Sequence, residues 1–169
     1  MIKVDIQEAY RNLPIHLLDQ ILQGVVCENR LYFDLCVAFG SRSAPGIFCC
    51  FANLLAWIGH QKGLPAIIHY IDDFLIIVPK GGMAAKVLFL GLLEALGVPY
   101  KASKLEGPTT RLVFLGIMLD TNELIASIAD DKRIEMLLLL KEWKLKRWCF
   151  LEELQSLIGS LIWLAQVMP

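Results

Sequence analysis

Over residues 2–6 apolar and polar side chains alternate, the two-residue period of a strand. Asp5 stands where this run gives way to Gln7, Glu8, Ala9 and Tyr10, which turn toward helix until Pro14 interrupts. A second strand-like run, LYFDLCV at 31–37, leads into the polar loop GSRSAP. Pro45 then opens an apolar helix reaching about Trp57, because a first helical turn tolerates its missing N–H, and Ser43 is the expected cap. Two apolar runs follow, 66–71 and 74–78, separated only by Asp72 and Asp73, which is the pattern of a tight hairpin. Gly81 and Gly82 release the chain into a helix over 83–96, and Gly97 and Pro99 stop it.

A second hairpin pairs residues 112–119 with 124–128 across the turn formers Asp120, Thr121 and Asn122. From Asp130, the expected cap, the period becomes helical, with Ile134, Leu137, Leu138 and Trp143 on one side. A last helix sets an apolar stripe through Leu151, Leu154, Leu157, Ile158 and Leu161 against Glu152, Glu153, Gln155 and Ser156. Hairpins placed between helices predict an α+β fold, an antiparallel sheet covered by helices on one face in the split βαβ, ferredoxin-like manner. The part beyond residue 130 reads as a separate helical unit.

Composition narrows the class. Of 169 residues, 56% are hydrophobic and 20% charged, which excludes a disordered tail and suits one domain with the start of another. This apolar share exceeds the roughly 45–50% of ordinary domains, so part of the surface is expected to face chain segments or partners outside these residues. No stretch supplies the about 18–20 nearly uninterrupted apolar residues that cross a bilayer, so no membrane partner is expected. The start MIKVDIQEAY lacks the apolar core and cleavage site of a secretory signal, which places the chain in a reducing, intracellular compartment, cytoplasm or nucleus. Cys27, Cys36, Cys49, Cys50 and Cys149 show no CxxC spacing and are expected as buried free thiols. His16, His60 and His69 lie beside no Ser or Cys nucleophile, which argues against a hydrolytic triad. The formal charge of -1 leaves nucleic acid open, since a basic groove can balance an acidic centre.

The adjacent aspartates between HY and FLIIV need a reason, because charge avoids apolar strands unless it is paired or used. One reason is a structural turn, which Asp favours. The other is an oxygen-rich site for a hard divalent cation, with Asp5 at the end of another apolar strand as third ligand. Such a cluster suits phosphoryl transfer with two ions about 3.5–4 Å apart. No Walker A lysine loop accompanies it.

At these positions the chain resembles a known family. KVDIQEAYRNLPI, AFGSRSAPGIF, YIDDF and ASKLEGPTTRLVFLGI look like the successive motifs of a reverse transcriptase palm, in the right order and at plausible intervals. Retrotransposon polymerases are the nearest likeness, and ELQSLIGSLIWLAQVMP is similar to the region after the palm in DIRS-like elements. The resemblance implies a palm over residues 1–129, with a partial fingers segment at about 14–42, followed by a helical thumb or connection segment over 130–169. It implies an RNA-directed DNA polymerase with two Mg²⁺ ions, or Mn²⁺ in their place, at Asp5, Asp72 and Asp73. The expected partners are a deoxynucleoside triphosphate, an RNA or DNA template with its primer, and the remaining fingers and ribonuclease H segments of a polyprotein.

Individual roles follow by position. Tyr10 matches the aromatic gate beneath the sugar of the incoming nucleotide, and core packing is its ordinary alternative. Ile6, Phe39, Gly40 and Tyr70 match nucleotide-site positions, and residues 40–45 otherwise form only a helix start, whose dipole favours negative charge. Retroviral enzymes usually carry Gln at the place of Phe39, so that contact does not transfer. Lys104 matches the lysine that protonates the leaving pyrophosphate, against a plain solvated lysine. Phe114, Leu115 and Gly116 match the primer grip, against a strand with a glycine. Lys132, Arg133, Lys141, Lys144, Lys146 and Arg147 are available to backbone phosphates, but six acids in the same region make an ordinary exposed face equally consistent.

Met1 lies only four residues before Asp5, whereas the family places most of its fingers ahead of this point. The chain therefore reads as the middle of a polyprotein, and a non-catalytic remnant or interaction module stands beside the polymerase reading. A nucleotide cyclase with a similar sheet is disfavoured by the absence of a G-G-D/E-E-F signature.

Overall fold

The computed structural model describes residues 1–79 and 82–167, and the release expected at Gly81 lies outside them. The chain divides into two compact units, Met1–Pro108 and Thr109–Pro169. In the first, β1 (Ile2–Asp5) pairs antiparallel with β5 (Asp73–Ile77), which pairs antiparallel with β4 (Ala66–Tyr70), giving a three-stranded sheet in the order β1-β5-β4. Two helices, α1 (Ala44–Gln61) and α2 (Met83–Ala95), supply the other layer. The register Ile2↔Ile76↔Ile67 and Val4↔Phe74↔His69 puts these residues on one sheet face. The apolar members of that face join Phe48 and Leu55 of α1 and Phe89 and Leu93 of α2 in a single buried cluster. Each such side chain contributes roughly 1.5–3 kcal/mol by leaving water. His69 is fixed to α1 by a 2.9 Å hydrogen bond between its Nε2 and Asn53 Oδ1, and it stacks on Phe74.

The opposite face carries Lys3, Asp5, Asp73, Leu75, Ile68 and Tyr70, because side chains alternate along each strand. Past α2 the chain returns beside β1. Ile6 bridges Tyr100, Lys3 bridges Glu106, and a short 3₁₀ turn at Ala102–Lys104 lies between them.

Three local expectations shift. The helix expected at Gln7–Tyr10 is a 3₁₀ turn, Ala9–Asn12, preceded by Glu8 in the left-handed region at φ 51°. The strand expected over 31–37 is shorter: β2 (Gly24–Cys27) and β3 (Arg30–Phe33) form a separate hairpin closed by Glu28 and Asn29, both left-handed. All eight strand residues of that hairpin are exposed, and so are Leu17, Leu18, Ile21 and Leu22 before it. The cysteines are free, but none is buried: Cys27 and Cys50 are exposed and the others half-buried. On α1, which carries Cys49 and Cys50, the core positions are taken by larger residues such as Phe48 and Leu55.

In the second unit the expected strand over 112–119 is two strands, β6 (Arg111–Phe114) and β7 (Ile117–Asp120), and β8 (Ile125–Ile128) completes the sheet in the order β6-β7-β8. Leu115 and Gly116 both take positive φ, 51° and 80°, and make the two-residue turn of the first hairpin, a geometry of type I′. Asp120 Oδ1 accepts the N–H groups of Asn122 and Glu123 and builds the next turn. The unit ends in α3 (Asp130–Leu145) and α4 (Leu151–Ala165). Asp130 lies in the first turn of α3 rather than at its cap, which is Ala129. At α4, Glu153 accepts the Phe150 backbone N–H. Among the described residues no helix is long and apolar enough to cross a membrane.

Candidate active site

Asp5 and Asp73 are direct cross-strand partners of β1 and β5, so their carboxylates leave the sheet side by side on the face away from the helices. Asp72 precedes Asp73 in the hairpin turn. The turn is formed by Ile71 and Asp72, one residue earlier than the aspartate pair predicts, and Asp73 already belongs to the strand opposite Tyr70. Ile71 holds φ +52°, a left-handed conformation that a β-branched residue rarely takes and that costs of order 1–3 kcal/mol. The Ile6 N–H donates to the Asp72 carbonyl at 2.9 Å, which ties the turn to the end of β1.

Asp5 is only 3% exposed and is the buried charged residue among those described. Lys104 Nζ donates to its Oδ2 at 2.7 Å. Lys101 Nζ meets its Oδ1 at 2.7 Å, so each oxygen of the buried carboxylate holds one ammonium group. Burial alone pushes the Asp5 carboxyl up, but the two ammonium groups outweigh it and hold the group below the usual carboxylate range. Asp73 moves the other way: burial first, then the charges of Asp5 and Asp72, raise it against the partial relief of Lys3 and Lys104. Lys104 is raised chiefly by its hydrogen bond to Asp5, so it keeps its proton. The three acids predicted to converge therefore lie within electrostatic reach of one another.

Beside them opens a cavity of about 250 Å³ lined by Glu8, Ala9, Tyr10, Phe39, Ile71, Asp72 and Lys101. Tyr10 is buried and meets Phe39 edge to face, centroids 4.8 Å apart, with Phe48 on another side at 6.0 Å. Phe39 is 73% exposed, and Gly40 follows it at φ +86° with open space where a side chain would stand. Ile6 is fully buried and Tyr70 exposed on the acid-bearing face. Lys101 is the lining residue that the motifs missed. No local signal marks it, because its place here depends on the return of residues 100–106 beside β1.

In the second unit Phe114 is buried, Leu115 is exposed, and Gly116 packs closely enough that a Cβ there would lie 3.2 Å from the Trp163 ring. Of the basic residues offered to phosphates, Lys132 pairs with Glu135, Arg133 with Asp130, and Lys146 with Glu153.

Carboxylate oxygens are the donors a hard cation such as Mg²⁺ takes. Among the described residues no group of three or more His, Cys, Asp or Glu is arranged as a metal-holding cluster, and ammonium groups meet both Asp5 oxygens. The donor chemistry fits a divalent ion, with lysines supplying the positive charge in this state.

The fold is that of a reverse transcriptase domain, mixed α+β with antiparallel sheets. Among solved structures the chain is similar to the foamy viral protease-reverse transcriptase in complex with double-stranded DNA, with TM-scores of 0.77 and 0.74 at 18% and 20% identity in two structures. These matches cover 96% of this chain and 27% and 32% of the viral chains. The same viral protein in complex with an RNA/DNA hybrid matches with a TM-score of 0.72 at 17% identity, over 94% of this chain and 20% of that one. The chain thus spans about a third or less of these neighbours. No family model matches the sequence, and no curated relative does.

Proposed function

We propose that this chain is the palm segment of an RNA-directed DNA polymerase, drawn from a retrotransposon polyprotein of the DIRS-like kind. The carrying observation is the Asp5–Asp73 cross-strand pair with Asp72 in the adjoining turn, beside a cavity walled by Tyr10 and Phe39. The order of the motifs around Asp5, Phe39, Asp72 and Lys104 supports it independently of the fold. The fold neighbours, solved with double-stranded DNA and with an RNA/DNA hybrid, support nucleic acid as partner.

In this reading Asp5, Asp72 and Asp73 hold divalent ions, which when bound activate the primer 3′-hydroxyl and neutralise the pyrophosphate. The hydroxyl gives up its proton to solvent, its oxygen bonds to the α-phosphorus of a deoxynucleoside triphosphate, and the bond from that phosphorus to the oxygen bridging it to the β-phosphate breaks. Lys104, held protonated by Asp5, is placed to give its proton to the departing pyrophosphate. Tyr10 closes the cavity beneath the sugar, where a 2′-hydroxyl meets its ring. Phe114, Leu115 and Gly116 hold the primer end.

Primer extension with Mg²⁺, template and deoxynucleoside triphosphates tests the reading. Asp72→Asn is expected to abolish extension, and equal extension by both proteins would falsify this site. A second reading, a non-catalytic module of the same fold, is favoured by the two lysines on Asp5. It predicts salt-sensitive nucleic-acid binding without extension.

A further inference from the structure

We propose that Lys101 is a mobile counter-ion of this site. It rests on Asp5 in the state described, and it transfers to the phosphates of an incoming nucleoside triphosphate when a divalent cation takes its place. The inference rests on the polymerase reading of Asp5 and assigns a positioning role that the motifs leave blank.

Three observations carry it. The first is the occupation of Asp5: the carboxylate is buried, and each oxygen has one ammonium at 2.7 Å, from Lys101 and Lys104. A divalent cation that binds such an oxygen works against the ammonium already there, because like charges at that range repel strongly in a partly dry site. The second is which lysine is free to go. Both ammonium contacts measure 2.7 Å, so the two lysines differ not in their hold on Asp5 but in where each can go. The Lys101 backbone is pinned by its own N–H to the Asp5 carbonyl at 2.9 Å, so departure needs only a swing of the four-carbon stem.

The third observation is the destination. Lys101 lines the 250 Å³ cavity and Lys104 does not. The other ionisable groups on that lining, apart from the Tyr10 phenol, are Glu8 and Asp72, both acids. A triphosphate entering this cavity would therefore meet a single cationic side chain on the wall. One lysine thus serves two successive anions, the empty carboxylate and then the nucleotide, and the acid is never left buried without a cation.

The test uses the full chain. Mn²⁺ binding is followed by electron paramagnetic resonance, and dATP binding to the Mn²⁺-loaded protein by calorimetry. Lys101→Gln is expected to tighten Mn²⁺ binding at least about threefold by removing a competing charge. The same variant is expected to weaken dATP binding about tenfold, and Lys101→Arg to restore most of it. Movement in opposite directions separates this role from structural damage, which weakens both. If Asp5→Asn abolishes Mn²⁺ binding while Lys101→Gln changes neither affinity, or weakens both, the inference falls and the carboxylate site stands. If Asp5→Asn binds Mn²⁺ as wild type does, or wild type and Lys101→Gln both fail to bind it, the polymerase reading falls with the inference.

Discussion

Asp5 and Asp73 occupy directly opposed positions on neighbouring strands, yet their acidities are driven apart: Asp5 below the usual carboxylate range, Asp73 above it. Two like charges in direct cross-strand register destabilise a sheet. Lysines 101 and 104 are spent on Asp5, so Asp73 carries most of the conflict.

Opposite effects of neutralising the two residues follow. Asp73→Asn should raise the melting temperature at pH 7, because a carboxyl whose folded pKa is raised costs stability once pH exceeds the unfolded value of 3.8. That gain should vanish as pH falls below about 4, where wild-type Asp73 is itself protonated. Asp5→Asn should lower the melting temperature, with a loss of about 1–3 kcal/mol as both lysines lose their buried partner. Asp5 has a depressed folded pKa, so its contribution is present above 3.8 and disappears as pH drops through the folded value. Thermal melts of the two variants at pH 3.5 and pH 7 check both signs, and a destabilised Asp73→Asn at neutral pH contradicts the first.

His69 gives a second pH dependence with a different window. Burial lowers its pKa from 6.5, its Nδ1 is buried without a partner, and Nε2 is committed to Asn53. A histidine with a lowered folded pKa binds more protons when unfolded, so stability is full above 6.5 and declines as pH falls toward the folded value. His69→Gln should flatten the slope of stability between pH 7 and pH 5 in denaturant titrations. An unchanged slope would mean that His69 is not the group responsible.

Much of this arrangement was legible in the sequence because strand period and turn chemistry are local. The alternation at Ile2, Val4 and Ile6 set the core face and left Asp5 on the other, and the apolar runs around Asp72 and Asp73 set the hairpin. The turn itself was off by one residue, since propensity places Asp in the turn whereas the register of Tyr70 with Asp73 forces Ile71 into the left-handed position. The break at Leu115–Gly116 was missed because FLG inside an apolar run reads as continuous strand. The pairing of Lys101 with Asp5 joins positions far apart in the chain and depends on the return of residues 100–106 beside β1, which no local pattern reveals.

Two glycines should respond in opposite senses to alanine. Gly91 lies inside α2 with nothing within 4 Å of an added Cβ, so Gly91→Ala should stabilise by about 0.4–1 kcal/mol through the unfolded chain. Gly107 holds φ +91°, and a Cβ there would stand 2.3 Å from the Met1 carbonyl oxygen and 3.0 Å from Ile2 Cα. Those are backbone atoms that cannot rotate aside. Gly107→Ala should therefore cost several kcal/mol and loosen the strip that carries Lys104, with less soluble protein and a lower denaturation midpoint as the readouts.

The exposed apolar side chains at 17–33 bear on behaviour in solution. Leu18 is 78% and Val26 70% exposed, on a stretch that contributes nothing to the buried cluster. Contiguous apolar surface of this kind drives association, while removing it costs the native state little because no packing is lost. The double variant Leu18→Lys, Val26→Lys should shift sedimentation toward monomer at high protein concentration and move the melting temperature by no more than the roughly 0.5 kcal/mol typical of surface changes. A variant that sediments as wild type does places the associating surface elsewhere. A large fall in melting temperature would show instead that these side chains are part of the folded interior.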